Sequence, residues 1–434
     1  MDSIGLSNAV GYPIHEDFKF TVEAFTEYLG ALKEGGVLSV TVWDNLTPPR
    51  NVLKLLNTII TAMKESGFPK PEQSLYSFSL LRSTSTILVK KGPFTEVDMY
   101  YLDNFVNTRS FEFLYVPGME LPLRNVNILM GAYRSHFENR PADVESFSNA
   151  DMCRAAIPRF LSDGGKELEK EYIFDIRPIR DSRPYYSGYL KLENLSLYMD
   201  QMEDISEEWG YLLLLALLVQ SCIFGFIVII VPLIGRRKEI FQSGGDIGST
   251  IGVIFYYAAL GLGYMLIEIY LIQRLAVFLS NPTYSASIVI TVMLIFSALG
   301  NLASGPVKRF RIFVVPAACL LAAAVFFFYI FGLDGFLVPF RSSSLFVRVL
   351  LSALVIAPAA FFMGVPCPNG LDSLQENRSN LMPWAWGMNG GLSLVGSALA
   401  RILAVSNGFP VLLGAGIIVY ILVGALFPVN LRRG

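Results

Sequence analysis

Charged residues are scarce in this sequence of 434 residues. Only 16% of the chain is Asp, Glu, Lys or Arg, whereas about a quarter is usual in soluble proteins. Hydrophobic residues make up 53% instead, and their long runs lie almost wholly after residue 210. The formal net charge of −2 gives no reason to expect nucleic acid as a partner, because that function calls for a basic surface.

Metal-ligating side chains are few and scattered. Two histidines, His15 and His136, are too few for a histidine-based metal site. The spacing of the cysteines predicts neither a zinc site nor a disulfide framework. The first residues are polar and turn-rich, so they do not read as a signal peptide. The four cysteines are Cys153, Cys222, Cys319 and Cys367.

The early part of the chain alternates helical and strand patterns. TVEAFTEYLGALKEGG (21–36) has helical periodicity and ends on a glycine pair. GVLSVTVW (36–43) is a β-branched run typical of a buried strand. A helix follows over 50–67, and two strand-like runs lie at 74–81 and 85–91.

This order predicts the second half of a doubly wound, Rossmann-like α/β domain closed by a hairpin. A complete nucleotide-binding domain starts with a strand, a glycine-rich turn and a helix, and nothing before residue 21 supplies them. We therefore expect a partial α/β domain over 1–92 with an exposed sheet edge. A cap and juxtamembrane region over 93–210 and a transmembrane helical domain over 211–434 would follow.

Several phrases of the sequence resemble the membrane-fused branch of the spermidine synthase (aminopropyltransferase) family, which has a class I methyltransferase-type fold. The resemblance covers residues 2–91 and 172–190 and continues into the membrane part. The matching phrases are Asp2-Ser3, TVEAF at 21–25, GGVL at 35–38, Pro49-Arg50, DSRPYY at 181–186, YYAALGLGYMLIE at 256–268, NPTY at 281–284, MGVPCPNGL at 363–371 and PWAWGMNG at 383–390.

The resemblance implies aminopropyl transfer to an amine in polyamine biosynthesis, with decarboxylated S-adenosylmethionine as the cofactor. Asp2 would then be the catalytic base that deprotonates the attacking amine. The chain departs from the family at Gly5, where the family has a second aspartate. The alternative is that Asp2 is a loop residue. Because the cofactor half is missing, we expect an N-terminally truncated relative that is inactive or incomplete as this chain alone.

A charge cluster precedes Pro184. Arg180, Asp181 and Arg183 either contact a polar substrate or form surface ion pairs, and the second reading is favoured because no other catalytic group accompanies them.

The apolar runs predict seven transmembrane helices, since about 20 apolar residues span a bilayer. Two ionisable residues lie inside them, Glu268 and Arg401. They either pair across the bundle or reach opposite interfaces, because each alone in hydrocarbon is costly. Gly261 and Gly263 predict a close approach of a neighbouring helix. The predicted spans are 211–234, 250–273, 284–305, 311–332, 346–366, 386–405 and 409–428.

The segment MGVPCPNG (363–370) contains two prolines and two glycines at a membrane boundary. It is either a plain turn, the favoured reading, or the broken backbone of a binding cleft.

Basic loops and the family resemblance place the soluble part on different sides of the membrane. With seven spans the basic clusters at 236–238, 308–311 and 432–433 share one side, which the positive-inside rule makes cytoplasmic. Residues 1–210 would then lie outside, whereas an aminopropyltransferase belongs in the cytoplasm with its cofactor. The side stays open.

Two functions follow as hypotheses for this multi-pass protein of the cell or inner membrane. One is spermidine synthase-like aminopropyl transfer. The other is a transporter-like or polyamine-binding membrane module with a degenerate soluble domain. The expected partners are the lipid bilayer, a small amine and a second copy of the chain in a homo-oligomer.

Overall fold

The computed structural model describes residues 16–43, 48–68, 70–80, 84–122, 149–200, 209–227, 231, 235 and 247–430. The chain forms two compact units, Met1–Leu212 and Leu213–Gly434, which we call the soluble unit and the membrane unit. The predicted base Asp2 and the basic clusters at 236–238 and 432–433 lie outside the described residues.

The soluble unit contains a four-stranded sheet in the order β1-β3-β2-β4. Each pair of neighbouring strands is antiparallel. The hairpin predicted from the two later strand-like runs is formed by β2 and β3. The strands are β1 (Val37–Trp43), β2 (Leu75–Leu80), β3 (Thr84–Lys90) and β4 (Glu112–Tyr115).

The helices of the soluble unit follow the predicted order at its start. Thr21 caps the first helix by accepting a hydrogen bond from the Ala24 amide (3.2 Å), as Thr does at an N-cap. The second helix is buried on most of its surface, because protein packs against it on several sides. The helices are α1 (Val22–Ala31), α2 (Asn51–Glu65), α3 (Pro71–Ser74), α4 (Glu96–Thr108), α5 (Asn149–Leu161), α6 (Gly165–Glu171) and α7 (Leu195–Asp200).

The first strand is not the buried strand that its β-branched run predicts. β1 lies at the edge of the sheet, Val42 is its one buried residue, and Val37 is 48% exposed. A β-branched run favours a strand, but it does not say how many neighbours the strand has. Among the residues that the structure describes, β1 therefore forms the exposed edge of the sheet that the sequence led us to expect.

The region after β3 also joins this sheet. β4 pairs with β2, and α4 packs Val106 against Tyr76 and Phe78 of β2. The sequence predicted helical and irregular structure here and missed β4, which has only four residues.

The segment that contains the charge cluster packs on α2. The Lys54 ammonium is fully buried and donates to the carbonyls of Tyr185 (2.9 Å) and Gly188 (2.7 Å). Thr58 accepts a hydrogen bond from the Ile179 amide (3.1 Å). Because α2 supplies partners for backbone groups of this segment, residues 172–190 are part of the fold of the unit.

The membrane unit contains, among the described residues, six helices long and apolar enough to cross a membrane, so the protein is a multi-pass integral membrane protein. An additional apolar helix, α8 (Trp209–Gly225), covers part of the first predicted span, and residues 228–230 and 232–234 of that span are not described. The remaining helices are α9 (Ile247–Leu279), α10 (Pro282–Ser304), α11 (Arg311–Phe331), α12 (Leu333–Leu337), α13 (Leu345–Met363), α14 (Pro366–Asn377), α15 (Met382–Asn407) and α16 (Phe409–Asn430).

Glycines set the closest helix contacts of the membrane unit. A Cβ atom at Gly261 would lie 2.0 Å from the Asn389 carbonyl oxygen on α15, and one at Gly263 would lie 2.8 Å from Val419 on α16. The close approach predicted at both glycines is confirmed, and α9 packs directly against two helices.

Candidate functional site

One face of α9 carries polar side chains through the membrane. Tyr257, Gly261, Tyr264 and Glu268 follow one another at intervals of four, three and four residues. Residues at these intervals lie on the same side of an α-helix. We call these four residues the polar face of α9.

The two ends of the polar face differ in depth. Glu268 lies 18 residues after Thr250 and 11 residues before Leu279, the bounds of this candidate span. At about 1.5 Å per residue, its backbone is therefore well inside the apolar layer. Tyr257 lies three helical turns closer to the start of the span, so the face connects the membrane interior with one interface.

The Tyr257 hydroxyl is buried and has no hydrogen-bond partner in the described part of the chain. Asp372 of α14 is close enough to influence it electrostatically. Gly370, two residues earlier on α14, leaves room for it, since a Cβ there would lie 2.5 Å from the hydroxyl oxygen. Tyrosine hydroxyls that are buried usually have a partner. This hydroxyl, next to Gly370, is therefore a candidate contact for a ligand.

α15 forms the opposite wall. Ser393 donates to the carbonyl of Asn389 (2.8 Å) and reaches the carbonyl of Gly261 (3.3 Å). A Cβ at Gly396 would approach the Leu262 backbone to 3.2 Å, whereas one at Gly387 would meet nothing within 4 Å. α15 therefore packs closely against α9 both at Asn389 and at Gly396.

Glu268 and Arg401 are both half-buried. Among the described residues the structure records no ion pair that involves Glu268. Arg401 comes 12 residues after Asn389, which places it roughly 120° around α15 from the ridge that contacts α9. The predicted pairing therefore has no support from these contacts and stays a prediction.

A second polar group lies further along α9. Gln273 is 2% exposed, and neither atom of its amide has a partner in the described part of the chain. The next residue, Arg274, forms an ion pair with Asp334 of α12 and lies 6.0 Å from the centroid of the Phe409 ring. Together these contacts explain why α9 continues to Leu279 past the predicted end at 273, since burial and a counterion let Arg274 remain inside the bundle.

The segment MGVPCPNG forms a two-residue break, Gly364 and Val365, between α13 and α14. A Cβ at Gly364 would lie 2.1 Å from the Ser297 carbonyl oxygen. Asn369 donates to Ser304 (2.9 Å), and Tyr256 donates to the Pro366 carbonyl (2.8 Å). These contacts agree with the turn reading, and they hold α14 with Gly370 next to the Tyr257 hydroxyl.

In the soluble unit the charge cluster is divided between two roles. Arg180 pairs with Glu65 on the surface, as expected. Arg183 does not form a surface pair, because it contacts the buried carboxylate of Asp175, which Arg177 also binds (2.7 and 2.8 Å). Asp181 accepts from the Thr21 hydroxyl (2.7 Å) and so ties the cluster to the cap of α1.

Burial alone would raise the pKa of the Asp175 carboxyl, but Arg183, Arg177 and Lys54 around it hold that pKa well below its usual range. The carboxylate is ionised at neutral pH and neutralises cations that the fold buries. Its contacts account for a structural role of this carboxylate.

The sequence singled out Glu268 but not its neighbours on the polar face. Tyr257 and Tyr264 could have been found from their spacing to Glu268 on one helix. Asp372 and Gln273 could not, because their importance depends on which helices meet. Comparison with protein-family models, with curated proteins and with solved structures gave no match in any of the three.

Proposed function

We propose that the membrane unit is a transport module that binds a small organic amine along the polar face of α9. The observation that carries the proposal is the buried Tyr257 hydroxyl, which has no partner among the described residues, faces Gly370 two residues before Asp372, and lies on the same side of α9 as Glu268. Two carboxylates at different depths favour a cation over an anion or a neutral ligand. Ionisable side chains inside a membrane commonly mark ion or substrate pathways.

The amine would compensate an electrostatic cost that the fold otherwise bears. Glu268 is half-buried in a membrane span and has no ion pair in the described part of the chain. A bound ammonium group offers the missing charge and donates hydrogen bonds to carboxylate and hydroxyl oxygens.

The test is spermidine binding and uptake. Binding is measured by calorimetry on detergent-purified protein, and uptake with radiolabelled spermidine in proteoliposomes. We expect Glu268→Gln and Tyr257→Phe each to weaken binding at least several-fold. Glu65→Gln is the matched control, because Glu65 pairs with Arg180 in the soluble unit and its loss should leave binding unchanged. Equal binding by wild type and Glu268→Gln would refute the site.

Aminopropyl transfer is a second candidate, favoured by the strand arrangement. β1 and β2 are both antiparallel to β3, so they are parallel to each other, and α2 connects them. Parallel strands joined through a helix are the unit from which doubly wound domains are built. This arrangement supports a partial Rossmann-like domain, as the resemblance to spermidine synthases implies, with its sheet incomplete at the edge strand β1.

The described residues do not fit decarboxylated S-adenosylmethionine by themselves. Within them no strand precedes β1, so the strand, glycine-rich turn and helix that would bind the nucleoside are not among them. We therefore derive no transfer step. Calorimetry with decarboxylated S-adenosylmethionine and methylthioadenosine tests this candidate: micromolar binding of either would support a rebuilt nucleoside site, and no binding would leave transport as the function.

A further inference from the structure

A groove runs along the outer surface of the membrane unit between α11 and α13. Its volume is about 380 Å³, within the range of roughly 300–1,000 Å³ that is usual for small-molecule sites. Phe336 of α12 contributes to its lining from the connection between the two helices. The lining residues are Leu321, Ala324, Val325, Phe328, Tyr329, Phe336, Leu354, Val355, Pro358 and Phe362.

The groove is apolar throughout its side-chain lining. Tyr329 has the one hydroxyl in this set, and it donates to the Val355 carbonyl (2.7 Å). The hydroxyl is thus used within the protein, and the groove presents hydrocarbon to whatever enters it. A polar ligand would lose its hydration here without replacement hydrogen bonds.

The groove opens towards lipid. Leu321, Phe328 and Leu354 line it and are also exposed, and α11 and α13 are candidate membrane spans. In a membrane protein the exposed apolar surface of a span contacts the acyl chains of the bilayer. The solvent that surrounds this groove is therefore hydrocarbon.

We propose that the groove between α11 and α13 binds one acyl chain of a bilayer glycerophospholipid. The described lining offers neither a charged group nor an unused polar group that a headgroup or polar side chain could bind. An acyl chain is slender, flexible and fully apolar, and it matches the lining.

The first experiment counts the phospholipids that remain bound. Protein from vesicles of phosphatidylethanolamine and phosphatidylglycerol is purified in detergent and examined by native mass spectrometry. Ala324→Phe fills the groove from its exposed side. Ala298→Phe on α10 is the matched control, since Ala298 is also exposed but does not line the groove. We expect wild type and Ala298→Phe to retain phospholipid and Ala324→Phe to lose it at least several-fold.

A second measurement uses variants that leave the groove open, so it does not depend on whether Ala324→Phe folds. Phe328→Trp places an indole in the groove and Phe313→Trp places one on an open lipid-facing surface. Lipids with brominated acyl chains quench indole fluorescence on contact. The four native tryptophans are first replaced by phenylalanine. Because brominated and ordinary lipids compete equally, quenching at a site for one chain rises in proportion to the brominated fraction, so it should be close to linear in Phe328→Trp. Phe313→Trp contacts several exchanging lipids and should saturate at a lower brominated fraction. Identical titrations of the two variants, or undiminished retention by Ala324→Phe, would overturn the proposal.

Discussion

Two buried amides of the membrane unit differ in their hydrogen bonding. Asn369 donates to Ser304 (2.9 Å) and to the Val365 carbonyl (2.8 Å), whereas Gln273 has no partner in the described part of the chain. Both are 2% exposed. Burial of the unpaired Gln273 amide therefore costs free energy of folding. At Asn369 the hydrogen bonds offset this cost.

This difference predicts opposite effects of apolar replacement. Gln273→Met keeps the shape and removes the unpaired amide, so it should raise the free energy of unfolding by about 1 kcal/mol or more. Asn369→Leu should lower it by a similar amount, because Ser304 and the Val365 carbonyl lose the amide that donates to them. Thermal unfolding in detergent measures both. A loss of stability in Gln273→Met would show that water or a ligand satisfies the amide in the membrane.

The buried carboxylate of Asp175 gives a prediction on pH. The pKa of this group is held below its unfolded value by Arg183, Arg177 and Lys54, against the opposing effect of burial. A carboxyl group of this kind stabilises the fold above its unfolded pKa of about 3.9, and the contribution is lost as the pH falls through the folded pKa. The stabilisation is thus fully present at neutral pH.

Asp175→Asn should therefore destabilise the soluble unit by about 3 kcal/mol near pH 7, because it leaves buried cations without their counterion. The deficit relative to wild type should shrink only below about pH 3.9. Limited proteolysis of the detergent-purified protein across pH measures it. Asp163→Asn, at an exposed position, is the control and should behave as wild type. A deficit that does not depend on pH would contradict the electrostatic account.

At the scale of elements, glycine contacts decide how the helices of the membrane unit pack. A Cβ at Gly261 would collide with the Asn389 backbone, whereas one at Gly387 would meet nothing within 4 Å. Alanine favours a helix over glycine by about 1 kcal/mol. The two positions therefore separate the effect of packing from the effect of helix propensity.

We expect Gly261→Ala to lower the thermal stability of the membrane unit by at least 2 kcal/mol, because α9 and α15 must move apart. Gly387→Ala should be neutral or slightly stabilising. A fluorescence thermal-shift assay in detergent compares them. Equal midpoints for both variants would mean that the contact between α9 and α15 is not close in the membrane.

The elements show which features could be predicted from sequence. The described ends of α10, α11 and α16 lie within two residues of the predicted spans, because uninterrupted apolar runs define them. α9 continues to Leu279 because Asp334 and Phe409 surround Arg274, and no local pattern reveals that contact. For the same reason Glu268 was identified from its own chemistry, while its neighbours across helices required the fold.

At the scale of the whole molecule, the number of membrane-spanning helices between two loops determines whether these loops lie on the same side of the membrane. Six candidate spans lie between Thr250 and Phe427. An even number returns the chain to the side on which it started, so the segments before 250, around 305–310 and after 427 share one side. This holds whether or not α8 crosses the membrane, and α8 decides only the side of the soluble unit.

Labelling with a membrane-impermeant thiol reagent tests this topology in intact cells, on a variant whose four cysteines are replaced by alanine. The positive-inside rule predicts that Arg309→Cys and Arg433→Cys are both protected until the cells are opened, and that Ser342→Cys is labelled directly.

Lys33→Cys then reports on the side of the membrane on which the soluble unit lies. Labelling from outside would mean that α8 spans the membrane and would separate this unit from cytoplasmic cofactors. Protection would place it in the cytoplasm, and opposite behaviour of Arg309→Cys and Arg433→Cys would refute six spans.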